Sequence, residues 1–203
     1  GKIIIINLDK KNSKILTKGH RNPQGLFIFD EDFIFSTEHG PSGGDEINLI
    51  QTINFGEELN FGWPISSYGN HYPDVPKNNK TKKIAPLHKS HSQYGFIEPV
   101  EVFSEKRLLA LDIETDSPSL LGLGISQIIR NNYSKSGVYV SSLRAMRILD
   151  YSFDTSNKEL KYEDQLQFDE RIRDIAFDRK NNLYYIFFED TPSLGILKKT
   201  NVN

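Results

Sequence analysis

No stretch of this sequence holds a helical period for as long as twelve residues, and that absence constrains the fold more than any other feature. Apolar residues come instead in short runs rich in Ile, Phe, Tyr and Val, each closed by turn residues. Such runs read as β-strands. They predict strands over residues 2–8, 14–17, 26–29, 33–37, 45–51 and 97–103. Further strands are predicted over 125–130, 138–143, 147–153, 160–168, 172–177, 183–188 and 194–198. Short strands at regular spacing imply an all-β fold: a sandwich, a barrel or a propeller. Two stretches also repeat loosely. Residues 24–38 and 173–190 each give an apolar strand ending in Phe-Asp, a turn, and a second apolar strand ending in an acid. Inner strands of propeller blades have this look.

Composition narrows the function classes. The chain has 203 residues, enough for one domain or for part of a larger one. Hydrophobic residues make up 37% and charged residues 26%, which reads as soluble and globular. A net charge of -2 leaves no basic footprint for nucleic acid. Apolar runs such as residues 3–6 are far too short to span a membrane. With no cysteine there is no disulfide, no thiolate metal site and no cysteine nucleophile. The opening Gly-Lys and strand-like run do not read as a signal peptide. Residues 54–93 have little periodicity and much Asn, Lys, Pro and Gly, so they read as a long surface excursion.

Three polar clusters carry the chemistry. His20-Arg21-Asn22-Pro23-Gln24-Gly25 places hydrogen-bonding side chains just before a strand. Its Pro fixes the backbone and its Gly permits close approach. Arg offers a planar fork for carboxylates, and Asn and Gln add directed donors and acceptors. The second cluster, residues 37–48, sets Glu38, Asp45 and Glu46 around three glycines. Carboxylates and the carbonyls of irregular loops are the ligands that hard cations need, which hints at calcium. The third is Asn60-Phe61-Gly62-Trp63-Pro64, with the chain's one tryptophan.

In this order and spacing, HRNPQG, TEHGPSGGDEINLI and NFGWP resemble the glucose/sorbosone dehydrogenase family, which includes the soluble aldose sugar dehydrogenases. ERIRD at 170–174 looks like a further family motif. The resemblance spans residues 2–199, weakly between 66 and 92. It implies a six-bladed β-propeller with pyrroloquinoline quinone (PQQ) on the axial face, calcium beside it, and an aldose oxidised at its anomeric carbon. It also implies an electron acceptor as partner and a periplasmic or secreted location. Arg21, Asn22 and Gln24 match cofactor-contacting positions, and Arg171 and Arg173 match the arginines that meet the PQQ carboxylates. The carbonyls of Gly40 and Pro41 match ligands of the cofactor's calcium. Glu46 and the Phe61 carbonyl match a second calcium site.

The resemblance places the chain in the C-terminal half of such a ring, as one partial propeller domain over residues 1–203 with about three blades. The family's general-base histidine falls in the other half, so no catalytic residue is nominated here. The expectation is a fragment inactive alone, which either pairs with a second copy to complete the ring or aggregates. Two other function classes stay open. One is a non-catalytic propeller remnant or binding module. The other starts from residues 104–116, which look inserted. There, residues 109–115 (LALDIET) resemble the first acidic motif of 3′–5′ exonucleases, with Asp112 and Glu114 on one side of a strand holding divalent metals.

Overall fold

A computed structural model of the chain describes residues 1–54, 59–69, 90–113 and 122–199. Most of the 54–93 excursion and residues 114–116 of the inserted stretch, Glu114 included, lie outside the described residues.

Fourteen strands form four sheets among the described residues. β1 (Lys2–Asn7), β2 (Asn12–Lys18) and β6 (Leu59–Asn60) make the first sheet. β3 (Pro23–Ile28), β4 (Phe33–Glu38), β5 (Asp45–Gln51) and β7 (Glu101–Phe103) make the second. The third runs in chain order through β8 (Ile125–Asn131), β9 (Gly137–Ser142), β10 (Arg147–Asp154) and β11 (Glu159–Gln167). The fourth comprises β12 (Ile172–Asp178), β13 (Leu183–Phe188) and β14 (Leu194–Leu197). Neighbouring strands are antiparallel except for β2 and β6, which are parallel. The second, third and fourth sheets each start from an inner strand, and β3, β8 and β12 lie side by side. That is the stacking of propeller blades around an axis.

The core fills the spaces between blades. Phe29, Phe33 and Phe35 all meet Phe153 edge-on, with ring centroids 4.9–5.2 Å apart. Tyr184 plays the same part between the third and fourth sheets, packed against Tyr139 and Phe177. Hydroxyl side chains stitch the starts of the inner strands together. Thr37 Oγ1 accepts the Gly25 N–H and donates to the Ser126 carbonyl. Ser126 Oγ in turn donates to the Ile172 carbonyl at 2.7 Å. Each bond satisfies a polar group that burial would otherwise penalise.

Two sequence readings need correction. Residues 109–112 do not form a strand. They lie in and after a short helix, α1 (Glu105–Ala110), capped by Ser104 Oγ on the Arg107 N–H. Asp112 follows in a turn with φ 55°, not on the strand that the exonuclease reading expects for it. The predicted strand 97–103 is reduced to β7 because Pro99 has no N–H to give a sheet. The Ile97 N–H goes to the Asn60 carbonyl instead. No helix among the described residues is long and apolar enough to cross a membrane.

Candidate functional site

All three inner strands lose their register at the same end. In β3 the shift falls between Pro23 and Gly25, in β12 between Ile172 and Asp174, and in β8 between Ile125 and Ile128. An extra residue at such a point bends the strand and re-aims its side chains. The residues released are Gln24, Arg173 and the pair Ser126–Gln127. Because the Thr37–Ser126–Ile172 ladder joins these starts, Arg21, Asn22, Gln24, Arg171 and Arg173 share one end of the axis. They are held as two groups, each by its own partners.

Arg21 donates from Nη1 to the His39 carbonyl at 3.0 Å, and its guanidinium lies 5.5 Å from the Trp63 ring centroid. Asn22 Oδ1 accepts from Gln24 Nε2 at 3.0 Å. Across the axis, Arg171 Nε and Arg173 Nη2 both donate to Glu189, at 3.0 and 2.6 Å. Those two bonds hold the Glu189 carboxyl below the usual carboxylate range, the Arg173 contact contributing most. Between the two groups lies Gln127. Its Nε2 donates to Asp174 Oδ1 at 3.2 Å, and a Cβ on Gly25 would come within 2.6 Å of its Oε1. Gly25 is thus small because Gln127 crosses over it.

A cleft beside this end holds two buried carboxylates. Glu38 and Glu46 face each other directly across β4 and β5 and are 4% and 6% exposed. Glu38 is fully engaged: Oε1 meets His20 Nδ1 at 3.2 Å and the Asn48 amide at 2.8 Å, and Oε2 accepts the Arg21 N–H at 2.7 Å. Glu46 is less well served, with His91 Nε2 at 3.3 Å from its Oε1. Burial pushes the Glu46 carboxyl up; the His91 bond opposes this and the nearby Glu38 charge adds to it. Gly40, Glu46 and Phe61, three of the four metal positions read from the sequence, line this cleft with Trp63 and Ser66. Pro41 backs it, its ring against Gly69. The loop is tight: a Cβ on Gly40 would lie 2.0 Å from the Gly43 carbonyl oxygen and 2.6 Å from that of Gly44.

Both histidines of the matched motifs are held in structural roles. His20 is completely buried, stacked on Phe61, with its Nε2 on Thr17 Oγ1 at 2.7 Å. His39 Nε2 donates to the Ile125 carbonyl at 2.5 Å. Past the cleft, Glu98 gathers Tyr68 and Ser90, each at 2.5 Å, and the Ser92 N–H at 2.8 Å. Tyr68 and Ser90 are the residues either side of Gly69 and the undescribed 70–89 stretch.

Gln127, Glu189 and His91 were not picked out in the sequence. None sits in a recognisable motif, and each is placed by a partner far along the chain.

Comparison with known proteins agrees with the motifs. The family model described as Glucose / Sorbosone dehydrogenase matches residues 5–195. Quinoprotein glucose dehydrogenase B of Acinetobacter calcoaceticus is 43% identical over 75 residues, which is 32% of this chain and 15% of that protein. The apo soluble aldose sugar dehydrogenase of Escherichia coli superposes with a TM-score of 0.59 at 23% identity, over 90% of this chain and 45% of that one. The PQQ-bound aldose sugar dehydrogenase of Streptomyces coelicolor gives 0.56 at 22% identity, over 97% of this chain and 51% of that one. At such identities these two likenesses speak for the fold, a β-propeller. The chain spans about half the length of these solved structures.

Proposed function

The chain belongs to the glucose/sorbosone dehydrogenase family, and from that premise we propose that it supplies the cofactor-holding face of a PQQ- and calcium-dependent aldose dehydrogenase. The observation that carries this reading is the convergence of Arg21, Asn22 and Gln24 with Arg171 and Arg173 at one end of three stitched inner strands.

The residues fit the cofactor. PQQ is a flat tricarboxylate, and Arg171 and Arg173 are 43% and 50% exposed with only one of their five N–H donors each on Glu189. Each guanidinium keeps unused N–H donors for an incoming carboxylate, and the planar fork suits it. Gln24 and Asn22 offer polar edges from the start of β3, on the other side of β8. The residues also fit calcium. Among the described residues no three acidic or histidine side chains group as metal ligands, so the donors have to be mainly carbonyls. The crowded carbonyls of Gly43 and Gly44, with those of Gly40, Pro41 and Phe61, supply such oxygens, and Glu46 adds a buried carboxylate in need of a cation.

When bound, PQQ supplies the two-electron acceptor for oxidation of the sugar. The work of this chain is to clamp carboxylates, orient the flat ring and close water out from one side. No base is assigned among its residues, since His20 and His39 are both committed to structural bonds. A periplasmic or secreted location, with an electron acceptor as partner, belongs to the same reading.

The open flanks suit a second copy completing the ring. β1 and β14 each pair on one side only, and Ile4, Ile6, Leu194 and Ile196 are all more than half exposed there. Such edges and apolar faces are normally covered. Light scattering at several concentrations tests this, with a monomer at every concentration counting against it. The function is tested by titrating the chain with PQQ and calcium, following quenching of tyrosine and Trp63 fluorescence. Saturable uptake that Arg171→Ala and Arg173→Ala each weaken supports it, and no uptake refutes it.

A further inference from the structure

Arg171 and Arg173 do not hold their own positions. Both side chains leave the start of β12 on the side where β13 ends, and the register shift at Arg173 frees its backbone from the ladder. One residue of the facing strand end ties them together. Glu189 Oε2 takes Arg171 Nε–H at 3.0 Å, and Oε1 takes Arg173 Nη2–H at 2.6 Å. Its own backbone is fixed to the same place, the Glu189 N–H donating to the Arg171 carbonyl at 2.9 Å. The neighbouring Asp190 accepts the Arg171 N–H at 3.2 Å, so the carboxylate is carried on a doubly pinned corner.

We infer that Glu189 is a positioning residue, a bridge that fixes the spacing and direction of two guanidinium forks so that their remaining donors meet an anionic ligand together. Long arginine side chains lose considerable freedom when they are ordered, and a bridge that orders both beforehand removes that loss from the binding step. The arrangement uses the least exposed of the three groups, at 33%, as the anchor and leaves the arginines outermost. This inference rests on the cofactor reading above.

A competing role for Glu189 would be to shield the arginines, in which case its removal would tighten the binding of an anion. The two roles have opposite signs, and the probe that separates them is PQQ. Its dissociation constant is measured by fluorescence titration of the full chain with calcium present, at low and at high salt, for the unmutated chain, Glu189→Ala and Glu189→Gln. The bridge predicts about tenfold weaker binding in both variants at both salt concentrations. It also predicts unchanged melting without PQQ, because exposed pairs contribute little stability. Tighter binding at low salt, or an affinity equal to that of the unmutated chain, overturns it. If Arg171→Ala and Arg173→Ala weaken binding while Glu189→Ala does not, the cofactor reading stands and the bridge alone fails. If the unmutated chain takes up no PQQ, both fail.

Discussion

The hairpin of β4 and β5 is buried along nearly its whole length, yet its two ends are built of opposite materials. At one end Phe33, Phe35, Leu49 and Ile50 pack into the apolar core. At the other, Thr37, Glu38, Asp45, Glu46 and Asn48 are as inaccessible to water as the phenylalanines. The apolar end needs only shape and volume. The polar end needs hydrogen-bonding partners, and it draws them from three separate segments: His20 with the Arg21 amide, the Gly124 and Ile125 amides on Asp45, and His91; Asn48 Oδ1 has none among the described residues. Two like charges placed directly opposite each other are unfavourable in a sheet. Their pairing at Glu38 and Glu46 is what the proposed calcium site would account for, since apolar residues would serve stability there at least as well.

The largest effect should come from the apolar end. Phe153→Ala removes the ring that three phenylalanines share and leaves a cavity, at a cost of about 3–5 kcal/mol in urea unfolding. A loss below about 1 kcal/mol would mean the site collapses freely and the contrast between the ends is overdrawn. Next comes Glu38→Ala, which strands His20, Asn48 and the Arg21 amide without an acceptor. It should lose about 2–3 kcal/mol, and Glu38→Gln, which keeps an acceptor, clearly less. Equal losses for the two would show that charge, not hydrogen bonding, is what matters at that position.

Calcium gives the third effect and tests whether the polar end is a binding site at all. At a hundredfold excess over its dissociation constant, an ion bound to the native state alone adds about 2.7 kcal/mol. Melting of the unmutated chain should therefore rise with calcium relative to chelator, and Glu46→Gln should shrink the rise. Identical melting curves in calcium and chelator would leave the polar end without its reason.

Glu98 gives the smallest effect, as a carboxylate near the same cleft but only partly buried. Burial pushes it up, but bonds from Ser90, Tyr68 and Ser92 outweigh this and bring it down to about 2. A lowered folded-state value means that its stabilisation is complete above the ordinary value of 4.5 and is lost as pH falls from there through about 2. Glu98→Gln should flatten that part of a stability-against-pH curve and lower the region above pH 5 by a constant amount without changing its slope. A curve that keeps its slope would show that the acid sensitivity does not come from Glu98.

Much of the fold could be read in advance. Strands such as β5 and β13 fall at the predicted residues because alternation and turn chemistry are local. The two-residue β6 gives no such signal, because it exists only where β2 offers a parallel partner. The helix α1 was missed for a related reason: six residues are too few to show a period, and its Ser104 cap was read as part of an insertion. In the site, the motif residues were legible because they cluster in sequence. Glu189 was not, since its relation to Arg171 and Arg173 follows from the pairing of β12 with β13 and from a register slip within it. Gln127 depends on a glycine one blade away, and His91 on a glutamate 45 residues earlier.

The shared grip of Glu98 on Tyr68 and Ser90 has a consequence for how this protein can change over generations. Tyr68 and Ser90, well apart in the sequence, are tied to one carboxylate. The entropy of bringing two points of a chain together grows only slowly with the number of residues between them, so a change in that number asks little of the tie itself. Descendants of the chain can therefore differ in length between these two points while Tyr68 keeps its place against His91 at the edge of the cleft.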